Sequence, residues 1–304
     1  AVVVAISPAN ILDMTGRMGP TYIILHLFSG RRRDGDLQCQ LEWANNHTDF
    51  RVVVLSIDVA NDEVMGDLTR EATVEFWLIQ IRLKRVIGSA KGPPCETWTV
   101  VRFMHDLDAL DMGGSGQLKR LPPPLRDRIN VWGKRKLTAK QYDQLYFGNR
   151  LLQTSIRFVV ALVQSGGFAI MEHPASPWYK PEAPSIWYLS YIRWIVDKVP
   201  GAVLNTFNQG VHGQISRKPT TFLCLRLPTV RKYLYSRQGG YPDLPPVEKM
   251  WGVGDDGLWR TARAKEYPPS LCLAMARSMI DGLELTQHRT PMSVDHIQEL
   301  SDLE

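Results

Sequence analysis

Gly92-Pro93-Pro94-Cys95-Glu96 is the segment of this chain best suited to covalent chemistry. The two prolines fix φ and restrict the residue ahead of each, so the thiol that follows them is aimed rather than loose. A carboxylate, Glu172 in Ile170-Met171-Glu172-His173-Pro174, closes another apolar run. Asp58 directly follows Val52 to Ile57, and the turn Phe28-Ser29-Gly30 follows Tyr22 to Leu27. Glycine in such a turn lets backbone approach a ligand, and a strand-end aspartate suits a ribose diol. Gly66-Asp67-Leu68-Thr69 adds a second acid one loop later. A thiol, a carboxylate and a nucleotide-type cradle together suggest group transfer through a covalent intermediate.

Positioning such groups along one edge requires strands that end side by side. Compact apolar runs predict strands at Tyr22–Leu27, Val52–Ile57, Val86–Ala90, Phe168–Met171, Ala202–Phe207 and Thr221–Leu225. Helical spacing or length predicts helices over Leu37–Ala44, Glu71–Lys84, Tyr142–Gln164, Ile186–Val196 and Ser270–Asp281. This alternation specifies an α/β fold with a doubly wound, mostly parallel sheet, whose ligands sit at the carboxyl ends of the strands. Residues 1–20 read as an N-terminal extension, 21–285 as one domain, and 286–304 as a polar tail. Pro228 to Trp259, rich in Pro and Gly, reads as a small irregular insertion.

The chain has 304 residues, 44% hydrophobic and 22% charged, enough for a substantial core. Four cysteines (Cys39, Cys95, Cys224, Cys272) lie far apart, without metal-ligand spacing, which favours an intracellular, reducing compartment, nuclear in a eukaryote. Cys39, Cys224 and Cys272 read as core thiols, and His26 as a buried strand histidine. No run has the length of a membrane span, and Ala1–Ile6 makes a poor signal peptide. A start at Ala1 suggests a piece of a larger polypeptide.

The formal net charge is +5, but its distribution says more. From Gln117 to Lys140 the basic residues Lys119, Arg120, Arg126, Arg128, Lys134, Arg135, Lys136 and Lys140 face the single acid Asp127. Gly113-Gly114-Ser115-Gly116 precedes them as a hinge by composition. Such a stretch downstream of a nucleophile suits a polyanionic substrate. Trp178, Tyr179, Trp187, Tyr188, Tyr191 and Trp194 offer rings for stacking on bases, although Trp187 to Trp194 fits helix packing better.

In islands from about Ile24 to Ala276, these segments resemble the cytosine-5 DNA methyltransferase family, on the Rossmann-like class I methyltransferase fold. The resemblance implies S-adenosylmethionine as cofactor, contacted by Phe28, Ser29, Gly30, Asp58, Asp67 and Pro93. It implies Cys95 as nucleophile toward cytosine carbon 6, Glu172 as the carboxylate holding the base, and Arg217 in Gln214-Ile215-Ser216-Arg217-Lys218 as a positioning cation. Tyr267-Pro268-Pro269-Ser270-Leu271 falls where the family's last motif closes the cofactor pocket. The implied partner is DNA, with the target base flipped out and the basic stretch against the duplex. Glu96 replaces the family's usual glutamine and adds a charge that raises the thiol pKa, while Arg31-Arg32-Arg33 occupies the place of a second glycine. Two further readings stand beside this one: an RNA cytosine methyltransferase, and a nucleic-acid-binding module that has lost catalysis.

Overall fold

The computed structural model describes residues 21–46, 48, 50–103, 122–235 and 264–286. Six strands form one sheet: β1 (Thr21–Leu27), β2 (Arg51–Ile57), β3 (Val86–Lys91), β4 (Phe168–Pro174), β5 (Ala202–Asn208) and β6 (Pro219–Leu225). Their spatial order is β2-β1-β3-β4-β6-β5. β6 runs antiparallel to both its neighbours, while β1 pairs parallel with β2 and β3, and β3 with β4. The α/β expectation therefore holds, with a mixed sheet in which β6 is the reversed strand. Because β2 lies on one side of β1 and β3 on the other, the winding direction reverses between β1 and β3. A crevice at such a switch point is the expected ligand position.

Among the described residues six α-helices accompany the sheet: α1 (Leu37–Asn45), α2 (Glu71–Arg82), α3 (Ala139–Ser165), α4 (Ser190–Lys198), α5 (Val230–Tyr235) and α6 (Pro269–Thr286). One core joins α2, α3 and α4 to one sheet face through Val74, Leu78, Leu152, Phe158, Ile192 and Ile195. The other joins α1, α5 and α6 to the opposite face through Leu37, Leu41, Val230, Leu234, Met275 and Met279. Alternate residues of each strand feed the two cores: Leu25 and Leu27 belong to the first, Ile24 to the second. Among the described residues no helix is long and apolar enough to cross a membrane.

Several boundaries differ from the sequence reading for identifiable reasons. α3 begins at Ala139, ahead of its apolar periodicity, because Thr138 and Gln141 form a reciprocal capping box. The expected helix Ile186–Val196 splits into a 3₁₀ turn at Ile186–Tyr188 and α4, with Leu189 extended between them. β4 continues to Pro174, so Glu172 and His173 lie within the strand rather than beyond it. β3 leaves β4 after the Lys91–Met171 pair, but β6 continues to pair Glu172 with Phe222 and His173 with Thr221. The insertion expected to be irregular opens with α5, which buries Val230 and Leu234 in the second core. The rest of that insertion, the tail after Thr286, residues 1–20, Gly113–Gly116, Lys119 and Arg120 lie outside the described residues.

Candidate functional site

The carboxyl ends of β1, β2, β3 and β4 converge as the sequence requires. After β3 the chain turns through Gly92 and the buried Pro93 to the partly buried Cys95. The loop is then held from below: Trp98 N donates to Cys95 O at 2.8 Å, and Arg102 Nε donates to Glu96 O at 2.6 Å. Trp98 itself is 2% exposed and packs edge-on against the buried His173 ring.

Glu172 is 5% exposed on the face that β4 shares with α6. Lys218 Nζ lies 3.5 Å from its Oε1, Gln209 Nε2 lies at the same distance, and the Tyr267 hydroxyl donates to the carboxylate. Gly92 makes this arrangement possible. A methyl at its Cα would stand 2.5 Å from Tyr267 Oη and 3.1 Å from Glu172 Oε2, so the Cys95 loop passes these groups with no room for a side chain. Cys95 is close enough to Glu172 and Lys218 for both charges to act on it. Desolvation first, and the Glu172 carboxylate second, push its thiol up to about 12, while Lys218 pulls it down. Glu96 raises it as the sequence suggests, but Lys265 Nζ sits 2.6 Å from Glu96 Oε1 and opposes that effect.

Arg217 is not the cation that meets Glu172. Its side chain is exposed and acts electrostatically on Tyr179, and Lys218, one residue later, supplies the charge. Alternation explains the exchange, because neighbours in extended chain point to opposite sides. Lys218 and Gln209 were missed for want of a local motif; the one available signal was an adjacent basic residue in the Arg217-Lys218 pair.

On the other side of the switch point, Phe28 and Gly30 take left-handed backbone at φ 58° and 67°. Gly30 N donates to Asp58 Oδ2 at 3.0 Å, and Ala60 N donates to Asp58 Oδ1 at 2.9 Å. Asn61 Nδ2 holds Ser29 Oγ and Gly30 O at 3.1 and 2.8 Å. Loop and aspartate are thus tied together, and open space surrounds the position a Gly30 side chain would occupy. Each Asp58 oxygen keeps lone-pair capacity beyond the one amide it accepts. Asp67 instead closes a local turn, accepting from Thr69 N and Oγ1 at 3.0 and 2.6 Å.

Two of the three arginines beside this cradle are engaged in pairs rather than free. Arg32 pairs with Asp36, the N-cap of α1, and Arg33 Nη2 donates to Tyr267 O at 2.5 Å while its Nε lies 3.4 Å from Glu266. Residues 264–268 therefore form a strap across the sheet edge. Through Arg33 it grips the β1 loop, through Lys265 the Cys95 loop, and through the Tyr267 hydroxyl the end of β4.

The basic stretch divides. Arg126 is fully buried, not displayed: its guanidinium lies 3.9 Å over Trp98 and donates to Thr97 Oγ1, Val131 O and Asn149 Oδ1 at 2.7, 2.9 and 2.9 Å. Buried there, it braces the loop that carries Cys95, which corrects its assignment to nucleic-acid contact. Lys134 pairs with Asp127 at 3.4 Å, while Arg128, Arg135 and Lys136 are exposed. Cys224 and Cys272 are buried as expected, Cys39 only partly so, and His26 is 5% exposed. No protein-family model matches the chain, and no curated protein matches its sequence.

Proposed function

We propose that this chain is a cytosine-5 methyltransferase of nucleic acid, on a class I methyltransferase-like fold, with Cys95 as nucleophile. The observation that carries the reading is the convergence of Cys95, Glu172 and Lys218 beside a separate glycine–aspartate cradle at the switch point. The cradle fits the cofactor: Gly30 has open space and Asp58 retains lone pairs for a ribose diol. S-adenosylmethionine, when bound there by Phe28, Ser29, Gly30 and Asp58, supplies the methyl group.

The chain's own residues do the rest. Glu172, taking up a proton as the base enters, donates it to ring nitrogen 3 of a flipped cytosine and accepts from the amino group, which makes carbon 6 electrophilic. The Cys95 thiolate bonds to carbon 6, and the ring electrons so displaced make carbon 5 nucleophilic. Once carbon 5 is methylated, its proton leaves to solvent, the C–H electron pair re-forms the carbon 5–carbon 6 double bond, and the Cys95 thiolate is expelled. Lys218 favours the thiolate at both ends of this sequence. The strap at 264–268 ties the β1 loop, the Cys95 loop and the end of β4 together, holding these groups in register.

The test is trapping on DNA containing 5-fluorocytosine, where the missing carbon 5 proton arrests the adduct. A covalent complex is expected with cofactor present, and none with a folded Cys95→Ser variant. A folded parent chain that traps on neither DNA nor RNA sinks the methyl-transfer reading; trapping on RNA alone moves the substrate to RNA.

One observation favours a second reading, binding without catalysis: Cys95 lies partly buried beside the Glu172 carboxylate, and desolvation and that charge both disfavour its thiolate. Calorimetry separates the two, since a folded chain that takes up no S-adenosylmethionine yet binds oligonucleotides belongs to the second.

A further inference from the structure

Beyond the pocket, the rim on the β4 side carries large rings and cations that nothing in the catalytic scheme uses. Trp178 is 85% exposed, Tyr188 51%, Tyr179 48%, and Ile129 at the neighbouring loop tip 92%. They form one connected surface. Trp178 and Tyr179 meet edge to face at 5.8 Å, and Tyr179 lies within the field of Arg217. The Tyr188 hydroxyl bonds to Ser176 Oγ, and the Arg128 guanidinium lies 5.5 Å over the Tyr188 ring. Arg128 N donates to Glu182 O at 3.0 Å, which ties the basic loop to the aromatic one. Ala175 N donates to Pro219 O at 3.0 Å, so the surface starts beside Lys218 and three residues past Glu172.

We propose that this rim binds an unpaired stretch of nucleic acid, with bases on Trp178 and Tyr179 and phosphates on Arg128 and Arg217. The charge pattern selects the occupant. Glu182 is the acid in the aromatic segment, against Arg128, Lys180 and Arg217, so a polyanion is favoured over a neutral apolar partner. Exposed rings flanked by cations match the requirements of a single strand, whose bases present faces for stacking without regard to sequence. Trp187, by contrast, is 6% exposed and donates to Pro174 O at 2.8 Å, so the ring that packs and the rings that display are distinct. The inference rests on the nucleic-acid part of the functional reading, not on methyl transfer.

The probe is therefore a fluorescein-labelled oligothymidylate, which contains no cytosine, titrated without cofactor onto the full chain and read by anisotropy. Binding is expected, weakened roughly tenfold by Trp178→Ala, in line with about 1–3 kcal/mol per stacked base. Trp178→Phe should restore most of the affinity. Arg128→Gln and Arg217→Gln should each reduce the slope of log affinity against log salt by about 0.7. Failed trapping by the parent chain on 5-fluorocytosine DNA and RNA, with intact oligothymidylate binding, removes the catalytic reading and leaves this one. Equal affinity of the parent and Trp178→Ala overturns the proposal, as does tighter binding of a duplex of equal length. Loss of self-association in Trp178→Ala, without any oligonucleotide binding, overturns it in favour of a protein contact.

Discussion

At the scale of single residues, the decisive quantity is the balance of charge on Cys95. Burial and Glu172 work against the thiolate, and Lys218 is the cation first in opposing them. Lys218→Met removes that opposition, so the thiol pKa rises and less thiolate is present at any given pH. Adduct formation on 5-fluorocytosine DNA should slow about tenfold at neutral pH, and its rise with pH should move to the alkaline side. Lys218→Arg keeps the charge and should recover most of the rate with the parent profile. An unchanged pH profile in Lys218→Met would remove Lys218 from the chemistry. The sequence exposed Cys95, Glu172, Gly30 and Asp58 because each follows or ends a legible apolar run. It hid Lys218 because a one-residue change of side in extended chain leaves no compositional trace.

At the scale of elements, the basic stretch shows why composition misleads about display. Arg126 and Arg128 are two residues apart, yet one is sealed beneath Trp98 and the other is on the surface. A buried guanidinium held by three acceptors and a ring is a brace, and removing it leaves the Thr97 hydroxyl and the Val131 carbonyl without their donor. Arg126→Met should therefore cost about 2–4 kcal/mol in urea unfolding. Arg128→Gln, which touches only surface groups, should stay within about 0.5 kcal/mol. Similar costs for both would show that Arg126 braces nothing. Strand and helix positions were legible here because the apolar periods are strong. The extension of β4 to Pro174 was not, since it depends on pairing with β6, distant in sequence. Nor was the break at Leu189, which falls inside a continuous aromatic and apolar run.

At the scale of the whole molecule, the buried titratable groups set the pH range in which the fold survives. Burial lowers His26 from 6.5 to about 4 and His173 from 6.5 to about 3. Between those values and 6.5 the unfolded chain binds more protons than the native one, so stability falls as pH drops through this window. Asp36, held down to about 2 by Arg32 and the Cys39 and Arg33 amides against the cost of burial, adds a loss in the same direction below 3.8. On the alkaline side Cys95, Cys224 and Cys272 are raised from 9.0 to about 12, and Tyr267 well above 10. There the unfolded chain sheds protons first, so stability falls as pH rises above 9. Lys91, 1% exposed with its ammonium on Ser89 Oγ at 2.7 Å, runs the other way: lowered from 10.5 to about 7, it destabilises fully below 7 and progressively less up to 10.5. The expected profile rises from about pH 7 to a maximum near pH 9 as Lys91 sheds its charge, with a steep acid limb below about pH 6.5. Its steepness follows because every tenfold difference in proton affinity between the folded and unfolded chain is worth about 1.4 kcal/mol. Lys91→Met should raise stability by a few kcal/mol at pH 6 and by little at pH 10. Urea midpoints across pH 4 to 10.5 for the parent and this variant test both statements. A gain from Lys91→Met that is the same at pH 6 and pH 10 would mean that packing, not the buried charge, is what the substitution changes.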